Sequence, residues 1–129
     1  MEQNLPIKTV IWIGSSKKIV QDFPLEVRKA IGFALYQAQE GKKHIHAKPL
    51  KGFSGAGVLE IVEDFDGDTY RAIYTVKFED FIYVIHAFQK KSKTGIKTPK
   101  QEIDLIKQRL KLAQSQYNSY LENKEKNHD

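Results

Sequence analysis

The sequence predicts an α+β domain, a small antiparallel four-stranded sheet flanked by helices in the order β-α-α-β-β-β-α. Three observations carry that prediction. Residues 81–88, Phe-Ile-Tyr-Val-Ile-His-Ala-Phe, form a near-continuous apolar run rich in β-branched and aromatic residues, the pattern of a strand covered on both faces. Asp66-Gly67, a strong hairpin signal, separates two β-forming segments at 58–65 and 69–78. Two other stretches, 24–38 and 98–120, repeat apolar side chains at spacings of three and four, as helices with one buried stripe do.

The first strand is expected over residues 7–13, dense in β-formers and ending at Gly14-Ser15-Ser16; a short helical turn to Val20 follows. Pro24 suits the first turn of the next helix, with Asp22 as its cap. Val27, Ala30, Ile31, Ala34, Leu35 and Ala38 supply its apolar face and Gly41 stops it. Gly32 inside this helix costs about 1 kcal/mol relative to alanine, and close packing is the reason it suggests. Residues 41–59 read as a flexible basic loop broken by Gly52, Gly55 and Gly57. Glu79-Asp80 reads as a second two-residue turn, so the last three strands form a meander, and the first strand pairs with one of its edges. Thr98-Pro99-Lys100-Gln101 has the cap, first-turn proline and glutamine of a capping box. The final helix carries Ile103, Ile106, Leu110, Ala113, Tyr117 and Tyr120 on its stripe. One domain is expected over residues 1–121, with a polar tail at 122–129 that frays.

A chain of 129 residues is long enough for one core, and 40% hydrophobic with 29% charged residues is ordinary globular composition. Without cysteine there is no disulfide framework and no thiolate metal site. The start lacks a secretory pattern, and no apolar run reaches membrane-spanning length, so a cytoplasmic protein with no membrane partner is expected. No metal or other cofactor is expected: His44 and His46 are not at a convincing ligand spacing, and there is no phosphate loop, dinucleotide fingerprint or nucleophile elbow.

Charge is the informative feature. Basic residues outnumber acidic ones 21 to 16, for a net charge of +5, and two basic segments, 41–59 and 81–101, hold no acid. Residues 41–59 gather Lys48 and Lys51, and residues 81–101 gather Lys90, Lys91, Lys93 and Lys97 directly after the most apolar strand. With two-residue turns at both hairpins, Val62 lies opposite Arg71, Arg71 opposite Phe88, and Ile73 opposite both Glu60 and His86. Glu60, Arg71, His86 and Phe88 then share one face beside the basic segments. Taken singly, Glu60 and Arg71 also suit a modest surface ion pair, His86 a hydrogen-bonded core histidine and Phe88 a core ring. Together they form the footprint of a site for unstacked RNA, with lysines on phosphates and an aromatic on a base.

Residues 88–103, Phe-Gln-Lys-Lys-Ser-Lys-Thr-Gly-Ile-Lys-Thr-Pro-Lys-Gln-Glu-Ile, carry a fairly specific motif. With Arg71-Ala-Ile-Tyr74 and the segment from Lys48-Pro-Leu-Lys-Gly52 to Glu60, the region from about residue 10 to 112 resembles the HigB-like, phage-derived toxins of the RelE/ParE superfamily. The resemblance implies a RelE-like sheet flanked by helices and the toxin half of a type II toxin–antitoxin pair. It also implies ribosome-dependent, metal-free cleavage of mRNA through the substrate's own 2′-hydroxyl.

On that resemblance Arg71 and Lys91 stabilise charge on the phosphorane, Lys51 and Lys90 hold flanking phosphates, and Lys48, Lys93 and Lys97 extend RNA binding. Glu60 orients Arg71 or acts as base, Phe88 stacks on a base, and His86 is a candidate acid or base where it is exposed. The implied partners are a cognate antitoxin, a small helix-turn-helix protein encoded next to it, and the ribosome with its mRNA. RelE-type enzymes often carry a tyrosine or histidine near the C-terminus, where this chain is expected to have a long helix and polar tail. Two alternatives stand: a ParE-like inhibitor of DNA gyrase that cuts nothing, and a non-catalytic basic RNA-binding module of phage origin. On the nuclease reading, Arg71→Ala is expected to abolish toxicity with the fold intact.

Overall fold

The computed structural model describes residues 7–53, 55–90 and 98–127. Its sheet runs in the order β1-β5-β4-β3-β2, built from β1 (Thr9–Trp12), β2 (Ala47–Pro49), β3 (Val58–Phe65), β4 (Asp68–Thr75) and β5 (Phe81–Lys90). Helices α1 (Ser16–Gln21) and α2 (Leu25–Gln39) follow β1, and α3 (Lys100–Lys126) closes the described chain. The α+β class holds, but the sheet has five strands rather than four and is mixed rather than antiparallel.

Both differences have a physical reason. Strand β1 pairs with β5 in parallel, Thr9 beside Phe81 through Trp12 beside Val84. Two helices separate β1 from the meander, and such a crossover can return the chain in either direction; an apolar run of β-formers does not encode strand polarity. The fifth strand, β2, is three residues long and ends in Pro49, so it lies on the edge where a missing N–H costs least. It was expected to be loop because Ala47-Lys48-Pro49 has neither the length nor the composition of a strand.

The sheet has a core on each face. On one side Val27, Ile31, Ala34 and Leu35 of α2 pack with Ile61, Ala72, Tyr74, Ile82, Val84 and Ala87. On the other, Ile106, Ala113 and Tyr117 of α3 pack with Val58, Ile73, Tyr83 and Ile85. Burying each large aliphatic side chain stabilises by roughly 1.5–3 kcal/mol, so both layers hold the interior strands. A charged replacement at Ala72 or Ala87, both wholly buried, would strand that charge in the first core.

Local chemistry explains the turns. Asp66 (φ 50°) and Gly67 (φ 87°) are both left-handed, as a two-residue type I′ hairpin requires, and Phe65 pairs with Asp68 across it. Glu79-Asp80 is not a second such turn. Strand β4 ends at Thr75 and β5 begins at Phe81, with Thr75 opposite Tyr83. A bulge then intervenes, because Tyr74 pairs with Val84 while Ile73 pairs with His86. The longer connection and the bulge cancel, so Arg71 still faces Phe88 and Ile73 faces both Glu60 and His86. The bulge also places consecutive side chains on one face: Ile85 joins the α3 core while His86 bonds to α3 as well.

Three helix details differ from the sequence reading. Asp22 ends α1 instead of capping α2, whose N-cap is Pro24. The N-cap of α3 is Pro99, and no side chain caps it, so the Thr98 capping box does not form. Residues 122–126, expected as a frayed tail, continue α3, and Lys124 contacts Asp80 at 3.6 Å.

Candidate nucleic-acid and phosphate site

The short edge strand builds the site. By pairing β2 with β3, the chain sets Lys48 opposite Glu60, and Glu60 lies in turn opposite Ile73 on β4. Leu50 is buried into the α3-side core while Lys48 and Lys51 stay exposed. An open cleft of about 600 Å³ results, lined by Lys48, Leu50, Lys51, Glu60, Thr98 and Ile103. The cleft thus joins the first basic segment to the start of α3.

Glu60 lines this cleft and forms a buried ion pair with Arg71 behind it, each 3% exposed, with Arg71 Nη1 donating to Glu60 Oε2 at 3.1 Å. Thr98 Oγ1 donates to the same oxygen at 2.7 Å and lies 3.4 Å from Arg71 Nη1. This explains the missing helix cap: the Thr98 hydroxyl is turned toward Glu60, tying the start of α3 to β3. The pair was expected at this register. Its burial was not, because the closing residues come from distant segments.

Phe88, opposite Arg71 on β5, is half-buried and stacks on His86 with ring centroids 5.6 Å apart. His86 itself is 5% exposed, so the condition for an acid–base role, exposure, is not met. Arg109 Nη1 donates to His86 Nδ1 at 3.0 Å. With Nδ1 accepting, the proton of the neutral ring sits on Nε2, which donates to the Glu102 carboxylate. Burial pushes the His86 pKa below its usual value, Glu102 opposes that shift, and Arg109 adds to it. The result is a neutral histidine clamped between two residues of α3.

Arg109 also donates to Ile85 O of β5 at 3.2 Å and reaches the first loop, donating to Ser15 Oγ at 3.1 Å. Gly14 makes room for it. Its φ is +56°, and a Cβ there would lie 2.9 Å from the Arg109 guanidinium carbon. Sequence reasoning passed over Thr98 in this role, Glu102 and Arg109. Arg109 did leave a signal, since it falls three residues after Ile106 and one before Leu110, inside the apolar stripe of α3.

Of the remaining expected residues, Lys90 ends β5 and is partly exposed. Lys91, Lys93 and Lys97 lie outside the described residues. His46 pairs with Glu63 of β3, and its backbone N–H donates to His44 Nδ1 at 3.0 Å. Among the described residues no three histidine or carboxylate side chains converge as metal ligands. Nor is any helix there long and apolar enough to cross a membrane.

Chemically, the cleft offers two exposed lysine ammonium groups to a phosphate chain and the Glu60 carboxylate, which is paired with Arg71 behind it. No curated protein and no solved structure gives a significant match to the chain. A family model does, the one described as phage-derived protein Gp49-like (DUF891), over residues 18–111. That span includes α2, all of β2 to β5, every residue of the cleft and the α3 residues that clamp His86. With most of its length matched, this chain belongs to the phage-derived Gp49-like family.

Proposed function

We propose that the chain is the toxin of a type II toxin–antitoxin pair and cleaves translated mRNA on the ribosome, by the metal-free chemistry of HigB-like, RelE-type enzymes. Its family is toxin-like and associated with toxin–antitoxin systems, which supports the toxin role. The observation that carries the nuclease reading is the cationic cleft lined by Lys48, Lys51 and Glu60, with Arg71 paired to Glu60 behind it.

In this reaction the 2′-hydroxyl oxygen bonds to the adjacent phosphorus while the bond from phosphorus to the 5′-oxygen of the next nucleotide breaks. A base takes the 2′ proton and an acid supplies one to the departing 5′-oxygen. The products are a 2′,3′-cyclic phosphate and a 5′-hydroxyl. Lys48 and Lys51 hold phosphates at the rim, and Lys90, Lys91, Lys93 and Lys97 bind further phosphates of the RNA. Glu60 either takes the 2′ proton or holds Arg71 in place, and Arg71, with Lys91, stabilises the added phosphorane charge. Arg71 is buried and bonded to both Glu60 and Thr98, so it meets a phosphate only when it is uncovered. Phe88 presents a ring to a base, with His86 as its support. The antitoxin, a small helix-turn-helix protein, restrains the toxin, and ribosome and mRNA are its targets.

A non-catalytic basic RNA-binding module is favoured by one observation, that Glu60 and Arg71 are both buried as a structural pair would be. Induced expression followed by mapping of mRNA ends separates the two. Codon-phased cuts confined to translated regions support the nuclease; intact mRNA with ribosome-bound protein supports the module, and intact mRNA with altered supercoiling supports a gyrase inhibitor.

A further inference from the structure

On the sheet face opposite the cleft, Gly32 stands in the middle of α2 with no neighbour within 4 Å of where a Cβ would be. Close packing inside the chain is therefore not its reason, contrary to the sequence reading. Glycine at such a position lowers helix stability, and here it leaves a groove of about 240 Å³ between α1, α2 and β1. Trp12, Val20 and Leu35 give the groove an apolar floor, and Lys17 and Arg28 stand on it as its charged lining.

The helix surface continues this groove. Leu25, Gly32 and Tyr36 fall at i, i+7 and i+11, one stripe of an α-helix, and Leu25 and Tyr36 are 54% and 46% exposed. No acid lines the groove, and neither Lys17 nor Arg28 joins an ion pair among the described residues. An apolar trough flanked by unneutralised cations, with a glycine gap that admits a close backbone, fits one kind of ligand.

We infer that this face docks an acidic amphipathic helix of a partner protein, apolar side down across Gly32 and carboxylates toward Lys17 and Arg28. A second copy of the chain fits poorly, because an isologous contact would bring Lys17 and Arg28 against themselves. A nucleic acid would match the cations but leave the Leu25–Tyr36 stripe and the Trp12 floor unfilled. Since the groove and the cleft lie on opposite faces, a partner bound here leaves the cleft open. The inference does not depend on the nuclease reading.

Trp12 is the chain's single tryptophan and so reports occupancy directly. The probe is a synthetic peptide of about three Leu-Glu-Glu-Leu-Leu-Glu-Glu heptads, titrated into the full-length protein. A saturable blue shift of Trp12 emission that weakens with salt is expected. Gly32→Leu, which fills the groove, and Lys17→Glu should each weaken binding about tenfold or more without lowering the melting temperature. Equal binding of the same peptide with lysine for glutamate, unchanged Trp12 emission, or variants that bind like the wild type would overturn the inference. So would a dimer in sedimentation that already shelters Trp12, or single-stranded RNA that produces the shift and displaces the peptide.

Discussion

Glu60 and Arg71 meet across adjacent strands at 3.1 Å, and both are buried. Removing one partner leaves the other charged and uncompensated, which costs about 3–5 kcal/mol. Arg71→Ala is thus expected to lower stability as well as activity, which revises the expectation of an intact fold. Urea unfolding should show Arg71→Ala and Glu60→Ala each strongly destabilised, and the double variant Glu60→Leu/Arg71→Met much less so. Two single variants as stable as the wild type would mean the pair is solvated in solution.

Thr98 donates to Glu60 Oε2 at 2.7 Å instead of capping α3. Thr98→Val should lower stability by about 1–2 kcal/mol, read as a shifted urea midpoint. Thr98→Ser should keep it. Helix content by circular dichroism should be the same in both, and a loss of helicity confined to Thr98→Val would restore the capping role.

His86 is held neutral, its pKa below the ordinary 6.5 mainly through burial. As pH falls, the unfolded chain takes up this proton before the folded one does. The stability His86 contributes is therefore complete above about pH 6.5 and declines from there toward its folded pKa. Between about pH 7.5 and pH 5.5 the urea midpoint should fall in the wild type and fall less in His86→Gln. A midpoint equally pH-dependent in both proteins would remove His86 from the account.

Gly32→Ala should raise stability by about 0.5–1 kcal/mol, because the helix gains propensity and the new methyl meets nothing. A thermal melt should move up by a few degrees. A lower melting temperature would show that the glycine is needed by the fold itself.

Legibility in the sequence followed the range of the interaction. The Asp66-Gly67 hairpin is specified by two adjacent residues, and it fixed the facing of Val62 and Arg71 correctly. The Arg71–Phe88 facing was also correct, but for a compensated reason: the bulge at Ile85 offset a connection longer than the Glu79-Asp80 turn. Strand β2 was hidden because its three residues are extended by pairing with β3, not by propensity. Thr98 misled because the local preference of a Thr-Pro start lost to a distant carboxylate. Lys48, Lys51 and Glu60 could be named one by one from charge and register, yet the cleft they share depends on β2.

The central claim, that the Lys48–Lys51 cleft cuts ribosome-bound mRNA, is tested most directly with purified protein and ribosomes paused on a defined message. Wild-type protein and Gly32→Ala should both release fragments with a 2′,3′-cyclic phosphate and a 5′-hydroxyl. The doubly neutralised Lys48→Gln/Lys51→Gln should bind with a shallower salt dependence and cut at least about tenfold more slowly, with an unchanged melting temperature. No cleavage by the wild type, or equal cleavage by the cleft variant, would contradict the assignment.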